Sequence, residues 1–513
     1  MNSTLETKIT TNREGTNLSK KINLNLPFFI IGLSLLLRLC CLNAHDLVVE
    51  EAYYWNYAQH LDFSYLDHPP MVAWLIKLST SLFGTHELGV RITSLICWLL
   101  TAFFSFKLTN LMSRGAGQYA VMLLAILPFF FLQSLVITPD QPLIVCWSAA
   151  LYCLYRSLVL DEPTYWYGAG IWLGLGMLSK YTILLLGPAM LFYLFLVPSA
   201  RPWFSRKEPY ACTFIVALLF TPVIYWNATH EWVSFLFQGS RRLGSTSHFH
   251  FHQFAGLLTL FLMPLGVISL CKLFKKNEME TVKLGLKSAR FLQLFSGLPL
   301  FVFALFSLNH NIKFNWIGPS LLAVIPWLAI LIRNTKKTRS LWLATATVLL
   351  VSYGSVMFVI AFGTSETVQQ KLFKKFIAWD ALTQEFNAIA RAIEKETNTT
   401  PTFVPLDRYP ISSELTFYQA KLLAQGEIAN IYPIVGAHIF GRESLMYRYW
   451  SSKDELPGKL LILISAELRY FDNPELKRQV IEKSPLNKIW AHKQGRGSVA
   501  IAPYYYKVVQ MKS

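Results

Sequence analysis

Eleven stretches of largely apolar residues recur along the chain, near 24–42, 88–110, 117–137, 141–160, 165–179, 181–198, 210–226, 253–272, 291–308, 316–333 and 340–363. A helix that crosses a bilayer needs roughly 17–25 such residues, so each stretch is predicted as a span, some of them short at the ends. Two polar intervals break the rhythm. In the first, residues 43–87, "MVAWLIKLSTSLF" (71–83) sets Val72, Leu75, Ile76, Ser79, Leu82 and Phe83 on one face at helical spacing. It is too short to cross and predicts a helix lying on the membrane surface, begun abruptly by Pro69-Pro70. Tyr53, Tyr54, Trp55 and Tyr57 predict a second interfacial helix just before it. In the last interval, "KLFKKFIAWDALTQEFNAIARAI" repeats Leu372, Phe376, Trp379, Leu382, Phe386, Ile389 and Ile393 with helical period, whereas "KLLILISAE" and "SVAIAPYYYKVVQ" read as strands. The predicted fold is a polytopic α-helical membrane protein with about 11 transmembrane helices. A tail (1–23) precedes the membrane domain (24–365), and an α/β domain (366–513) follows it.

Composition agrees with the pattern. Of 513 residues 53% are hydrophobic and only 15% charged, against about a quarter charged in soluble domains. The net charge of +17 would suit a nucleic-acid partner, but its placement says otherwise. If the segments cross in turn, the loops on the N-terminal side hold twenty of the 27 Lys/Arg before residue 366. The positive-inside rule then makes that side cytoplasmic and puts the C-terminal domain outside. The first span lacks a small-x-small cleavage site after it, which predicts an uncleaved anchor. The seven cysteines lie in or beside apolar segments without metal-type spacing, so no disulfide framework is expected.

Acids are scarce before residue 366, and their placement is uneven. Six of the eight external ones, Asp46, Glu50, Glu51, Asp62, Asp67 and Glu87, fall in the first external loop. Carboxylates near hydrocarbon are costly, so the concentration predicts a polar cavity at the outer membrane surface; a loop simply bathed in water is the plainer alternative.

Taken together, "EEAYYW", "LDHPPMVAWLIKLSTSLFG", "VITPDQPL", "GLGMLSKYTILLLGP", "PVIYWNATHEWVSFLFQ" and "NIKFNW" resemble bacterial polyprenyl-phosphate-sugar glycosyltransferases. These belong to the dolichyl-phosphate-mannose–protein mannosyltransferase superfamily and include the lipid A aminoarabinose and galacturonic acid transferases. The resemblance covers about residues 25–365, and the external domain resembles theirs through "RYPISSELTFYQA" and "FGRESLMYRYW". It implies a glycosyltransferase-C fold and transfer of a sugar from an undecaprenyl-type phosphate carrier, usually with inversion, to an envelope acceptor such as lipid A or lipopolysaccharide core. The setting implied is the periplasmic face of the bacterial inner membrane. The family's first-loop Asp-Glu pair falls here on Glu50 and Glu51; "DHPP" gives Asp67 and His68, where the aminoarabinose branch has a lysine in place of the histidine, and "TPD" gives Asp140.

That chemistry assigns candidate roles. A hydroxyl acceptor needs a base, for which Glu50 and Glu51 are the candidates, with Asp67 and Asp140 completing the catalytic set; Asp140 would otherwise only order the helix boundary beside Pro139. A departing polyprenyl phosphate needs cations. Lys180, Arg241, Arg242 and Lys313, all at external membrane edges, are the candidates beside His68, and each could instead snorkel to lipid headgroups. Arg38 reads as structural. "SHFHFHQ" alternates His248, His250 and His252, so His248 or His250 with Asp67 suggests a divalent metal site, against an aromatic-histidine strip at the interface. No Walker-type or dinucleotide-binding glycine loop is present, consistent with a donor carried on lipid and no nucleotide cofactor. A protein hydroxyl is the rival acceptor. A lipid-linked sugar flippase is the rival class, disfavoured by the lack of repeated halves.

Overall fold

The structure is a computed structural model and describes residues 26–243, 248–282, 284–362, 378–493 and 499–512. All eleven predicted stretches contain helix. The first is α1 (Leu26–Cys41), followed across the first loop by α2 (Val49–Gln59), α3 (Met71–Phe83) and α4 (Glu87–Met112). Among the described residues, five helices are long and apolar enough to cross a membrane: α4, Lys207–Thr229, Phe251–Leu273, Leu286–Phe306 and the helix beginning at Lys336; a sixth span is formed if the bent pair Tyr181–Leu196 and Pro198–Ser205 is counted as one. The other stretches are shorter or broken. In the third, Pro128 ends one helix at Ile126 and starts another, Pro128–Gln133, because proline can open a helix but not continue one. The protein is thus a multi-pass helical membrane protein, and five or six of its helices meet the length and composition of a span.

Close helix packing depends on small residues. A methyl group on Gly318 would lie 2.0 Å from the Phe129 ring, and one on Gly176 would lie 2.1 Å from Ile183. Arg38, buried inside this bundle, is held by Ser134 Oγ at 2.6 Å and by the Ser34 and Ala125 carbonyls, between the rings of Trp98 and Phe131. It is structural, as the sequence suggests.

The first loop departs from its expected form in one respect. α3 buries Val72, Ala73, Ile76, Ser79 and Thr80 against protein and leaves Leu78, Leu82 and Phe83 exposed, as befits a helix with one face toward lipid. α2 is not a surface helix. Glu51 through Ala58 are all buried, because the C-terminal domain packs over it.

That domain carries a five-stranded sheet in which β1 (Thr402–Pro405), β2 (Leu460–Ser465) and β5 (Val499–Met511) run side by side. β1 and β2 are parallel; β5 is antiparallel to β2 and pairs on its other edge with β3 (Val480–Glu482) and β4 (Asn487–Lys493). The two segments read as strands from sequence are β2 and β5. Helices Trp379–Thr397 and Pro410–Ala424 cover one face; the predicted first turn of the former, with Leu372 and Phe376, lies outside the described residues.

Buried polar contacts join this domain to the loop. The Asn56 side chain donates to the Ser413 carbonyl (3.2 Å), the Leu47 amide to Tyr418 Oη (2.8 Å) and the Trp379 amide to Asp46 Oδ2 (2.8 Å). Lys421 Nζ bridges Glu87 (2.7 Å) and Asp380 (2.8 Å). Removing one partner from such a buried set strands the remaining charge and typically costs roughly 3–5 kcal/mol. Lys421→Ala should therefore lower the thermal midpoint and expose the C-terminal domain to limited proteolysis; unchanged melting and cleavage would refute the clamp.

Burial pushes the Asp46 carboxyl up to about 7, with Asp380 and Glu87 adding to the shift and Lys421 opposing it. A carboxyl whose pKa is raised by folding favours the fold while protonated. Its contribution is whole below the ordinary Asp value of 3.8 and is lost as pH rises through about 7. Asp46→Asn should thus flatten the decline in thermal midpoint between about pH 4 and pH 7; an unchanged slope would contradict the assignment.

Candidate functional site

The two glutamates opening α2 part ways because adjacent helical residues point about 100° apart. Glu51 turns inward. Its Oε2 accepts the Val48 amide (3.0 Å), closing the first turn, and it meets Arg91 at 2.7 Å with both side chains fully buried. Arg91 spends its other donors on the carbonyls of Leu42 (3.1 Å), His45 (2.8 Å) and Asp46 (2.7 Å). Glu51 Oε1 also accepts the Ile137 amide at 3.1 Å, so one ion pair ties the end of α1, the start of α2, α4 and the "VITPD" segment together. Glu50 turns outward and is exposed.

Asp140 opens the helix Asp140–Leu158 directly after Pro139, where the helix dipole favours an anion. It is 1% exposed. Its Oδ1 accepts from Lys180 Nζ at 2.7 Å and its Oδ2 from the Asn315 side-chain amide. Lys180 stands on an extended residue between the helix Tyr165–Met177 and the turn Tyr181–Leu185. It lines a cavity of about 280 Å³ with His68, Gln238, Leu184, Leu185 and Phe303. Its lining is mixed, cationic and polar at Lys180, His68 and Gln238 and apolar at Leu184, Leu185 and Phe303.

Asp67 lies under α2, where Tyr57 donates to it and Tyr53 approaches at 3.4 Å. Burial raises its carboxyl above the ordinary range, and the two hydroxyls together with Arg408 oppose the shift. Tyr54 marks the centre of the site. Burial lifts its hydroxyl well above 10, and Asp67, Tyr409, Asp140 and Glu50 all add to the effect. Tyr409 comes from the C-terminal domain, its ring 4.7 Å from that of Tyr53. Burial, then Glu50 and Asp67, push its hydroxyl up to about 12. Glu50, Tyr54, Asp67, His68, Asp140 and Lys180 therefore form one cluster, with His68 and Lys180 on the cavity and Tyr409 of the C-terminal domain beside it.

Other sequence candidates sit elsewhere or beyond description. Lys313 is exposed, although Asn315 of the same motif reaches Asp140. Arg241 and Arg242 end the helix Val233–Leu243, and their side chains lie outside the described residues. His248 and His250 are pinned by backbone bonds to Asn309 (3.1 Å) and Ser307 (2.9 Å), and with Asp67 they form no three-ligand group. Among the described residues, the three acids close enough to share an ion are Asp46, Glu87 and Asp380, and they could hold a metal. Lys421 already bridges two of them, so the donor set fits a lysine better than a cation. Arg91, Asn315 and Tyr409 were not among the sequence candidates. Arg91 had a signal, since a cation one turn inside a span requires a partner; Tyr409 had none, because a contact between distant segments leaves no local pattern.

These features define a class: an integral membrane protein of the glycosyltransferase-C architecture with an appended α/β domain. The fold is shared with crystal structures of ArnT from Cupriavidus metallidurans, in the apo state (TM-score 0.59, 12% identity) and bound to undecaprenyl phosphate (TM-score 0.60, 13% identity), each covering 94% of this chain and 97% of that one. Residues 67–226 match the family described as dolichyl-phosphate-mannose-protein mannosyltransferase.

In sequence the chain is 26% identical over 194 residues to lipid A galacturonosyltransferase RgtD of Rhizobium johnstonii, covering 37% of this chain and 40% of that protein. It is 25% identical over 175 residues to undecaprenyl phosphate-alpha-4-amino-4-deoxy-L-arabinose arabinosyl transferase 1 of Proteus mirabilis, covering 33% and 31%. The aligned segments span less than half of these curated relatives. The resemblance read from the motifs, to polyprenyl-phosphate-sugar glycosyltransferases, is shown.

The geometry makes Asn315 a support for Asp140. Asn315→Leu should leave Asp140 Oδ2 with only the long 3.4 Å bond from the Thr138 hydroxyl and destabilise the fold by about 1–3 kcal/mol, read as a lower thermal midpoint; a midpoint equal to that of the unsubstituted protein would remove Asn315 from the site.

Proposed function

We propose that this protein is a membrane glycosyltransferase that moves a sugar from an undecaprenyl-type phosphate carrier to an envelope glycolipid of the lipid A or lipopolysaccharide-core kind. The carrying observation is the Lys180 cavity. Its lining offers a phosphate a buried ammonium and an imidazole, and offers the first part of a lipid tail the apolar side chains of Leu184, Leu185, Val302 and Phe303, with the carboxylate of Asp140 against Lys180. The relatives' names supply the donor and acceptor classes. The cation-rich loops on the opposite side favour the periplasmic face of the inner membrane for this pocket, with residues 366–513 as a periplasmic domain.

In the proposed step an acceptor oxygen attacks the anomeric carbon from the face opposite the phosphate. The bond from that carbon to the phosphate oxygen breaks, its electron pair leaves with the polyprenyl phosphate, and the configuration inverts. Lys180 and His68 hold the growing phosphate charge, with Asp140 and Asn315 aiming Lys180. Arg241, Arg242 and Lys313 are placed at the outer rim of phosphate binding. If the acceptor is a hydroxyl, Glu50 takes its proton; an ionised phosphate acceptor needs no base. Glu51 works through Arg91 as a positioning residue, and Asp67 orders Tyr57 and Tyr53. No step is routed through a metal, and a lipid-borne donor calls for no nucleotide.

Vesicles holding the purified protein and donor should release free polyprenyl phosphate only when acceptor is added. Release without acceptor, or movement of donor across the bilayer with no release, would overturn the reading. Lys180→Met should lower kcat about 10²–10³-fold in protein that still elutes as a folded monodisperse species; Lys180→Met turning over at the rate of the unsubstituted enzyme would contradict the phosphate role. Glu50→Gln reads the acceptor: a fall of about 10²-fold or more in kcat marks a hydroxyl, and an unchanged kcat marks a phosphate.

A further inference from the structure

Two cavities in the external domain are used by none of the chemistry above. One, of about 410 Å³, lies in the seam between α2 and the external domain, lined by Trp55, Gln59, His60, Gln419 and Trp450 among others. The second, of about 750 Å³, is lined by Asn387, Arg391, Lys395, Glu427 and Asn430. Tyr432 belongs to the walls of both, so the two adjoin across its side chain as the halves of one groove region. The two halves differ in chemistry. At one, the His60 and Trp450 rings stack 4.6 Å apart. At the other, Arg391 and Lys395 stand one helical turn apart on the helix Trp379–Thr397 and form no ion pair among the described residues. Glu427 at that end is engaged by the Gln384 side chain at 2.6 Å.

Each half of the groove also presents an unanswered polar group. Asn387 is 5% exposed, one turn before Arg391, and both its amide nitrogen and its amide oxygen lack a partner. Trp55 is 3% exposed and its indole N–H lacks one as well. Buried polar atoms are nearly always paired, and leaving one unpaired costs about 1–3 kcal/mol. An amide wants a donor and an acceptor together, and an indole N–H wants an acceptor. A sugar hydroxyl provides both functions, and flat aromatic rings suit the apolar faces of sugar rings. A lipid tail would satisfy neither group, and a peptide would leave the stacked rings and paired cations without a reason to share one groove.

We infer that this groove binds the anionic saccharide part of the acceptor, a phosphorylated or uronic sugar, with its charge on Arg391 and Lys395 and its sugar rings against His60, Trp450 and Tyr432. The inference rests on the glycolipid acceptor proposed above. The position fits. α2 contributes to both sides: Trp55 and Gln59 line the groove, Glu50 and Tyr54 belong to the acid cluster, and the Trp450 ring lies 5.7 Å from that of Tyr57, which donates to Asp67. An acceptor held here by its saccharide would present its remaining sugar to the Glu50 side of α2.

The test uses the full-length protein in nanodiscs and two probes: the deacylated bisphosphorylated glucosamine disaccharide, and the same disaccharide after phosphatase treatment. Saturation-transfer NMR and calorimetry should show saturable binding of the first and weaker binding of the second. Because Arg391 and Lys395 are exposed, Arg391→Ala with Lys395→Ala leaves the fold intact. It should weaken the bisphosphate by about tenfold or more, some 1.4 kcal/mol, leave the phosphate-free probe unaffected, and raise KM for the acceptor lipid without changing kcat. Asn387→Leu should weaken both probes. No saturable binding, or a double variant that binds as the unsubstituted protein does, overturns the inference; waters alone then fill the groove. Failure of the function proposed above reads differently: no polyprenyl phosphate would be released with any acceptor, while probe binding would still decide the groove.

Discussion

The buried pair of Glu51 and Arg91 is the constraint on which the rest of the molecule depends. Two fully buried charges are tolerated only when each is paired and hydrogen-bonded throughout. Here that requirement gathers the carbonyls of Leu42, His45 and Asp46 and the amides of Val48 and Ile137 around one point. The end of α1, the start of α2 and the segment leading to Asp140 thus cannot move independently. By consuming Glu51, the pair also decides which face of α2 is left for chemistry.

From that anchor the electrostatics of the site follow. Tyr54 senses Asp67, Asp140 and Glu50 together, and one buried lysine brings a compensating charge to Asp140. The C-terminal domain sets Tyr409 against this cluster. It also buries acids of its own: Glu414 has neither carboxylate oxygen paired, and burial raises its pKa well above the ordinary value, which favours its protonated form. The same burial that makes α2 rigid makes this interface favour protonated carboxyls.

Much of this was legible in the sequence because it is local. Apolar runs gave the eleven helical stretches, the stripe in 71–83 gave α3, and two apolar or alternating runs gave β2 and β5. The cluster of acids in the first loop pointed to the site, and Asp67, His68, Asp140 and Lys180 do meet there. What escaped depends on the third dimension. Nothing in "EEAYYW" tells which glutamate faces inward, since that is set by Arg91 forty residues away. Nor does α2 announce its burial: its tyrosines suit a lipid interface as well as the underside of a domain arriving from beyond residue 378. The histidine alternation at 248–252 is present as a pattern, and His248 and His250 pair through their backbone with the turn at 307–309; among the described residues no three-ligand group unites them with Asp67.

A double-mutant cycle on Glu51→Leu and Arg91→Leu addresses the anchor most directly, read as thermal midpoint and as turnover in the same preparations. If the pair is the fulcrum, each single variant strands a buried charge and loses roughly 3–5 kcal/mol, while the double variant loses much less than the sum of the two. Losses that simply add, or single variants that melt and turn over as the unsubstituted protein does, would show that the first loop is held in place by something else.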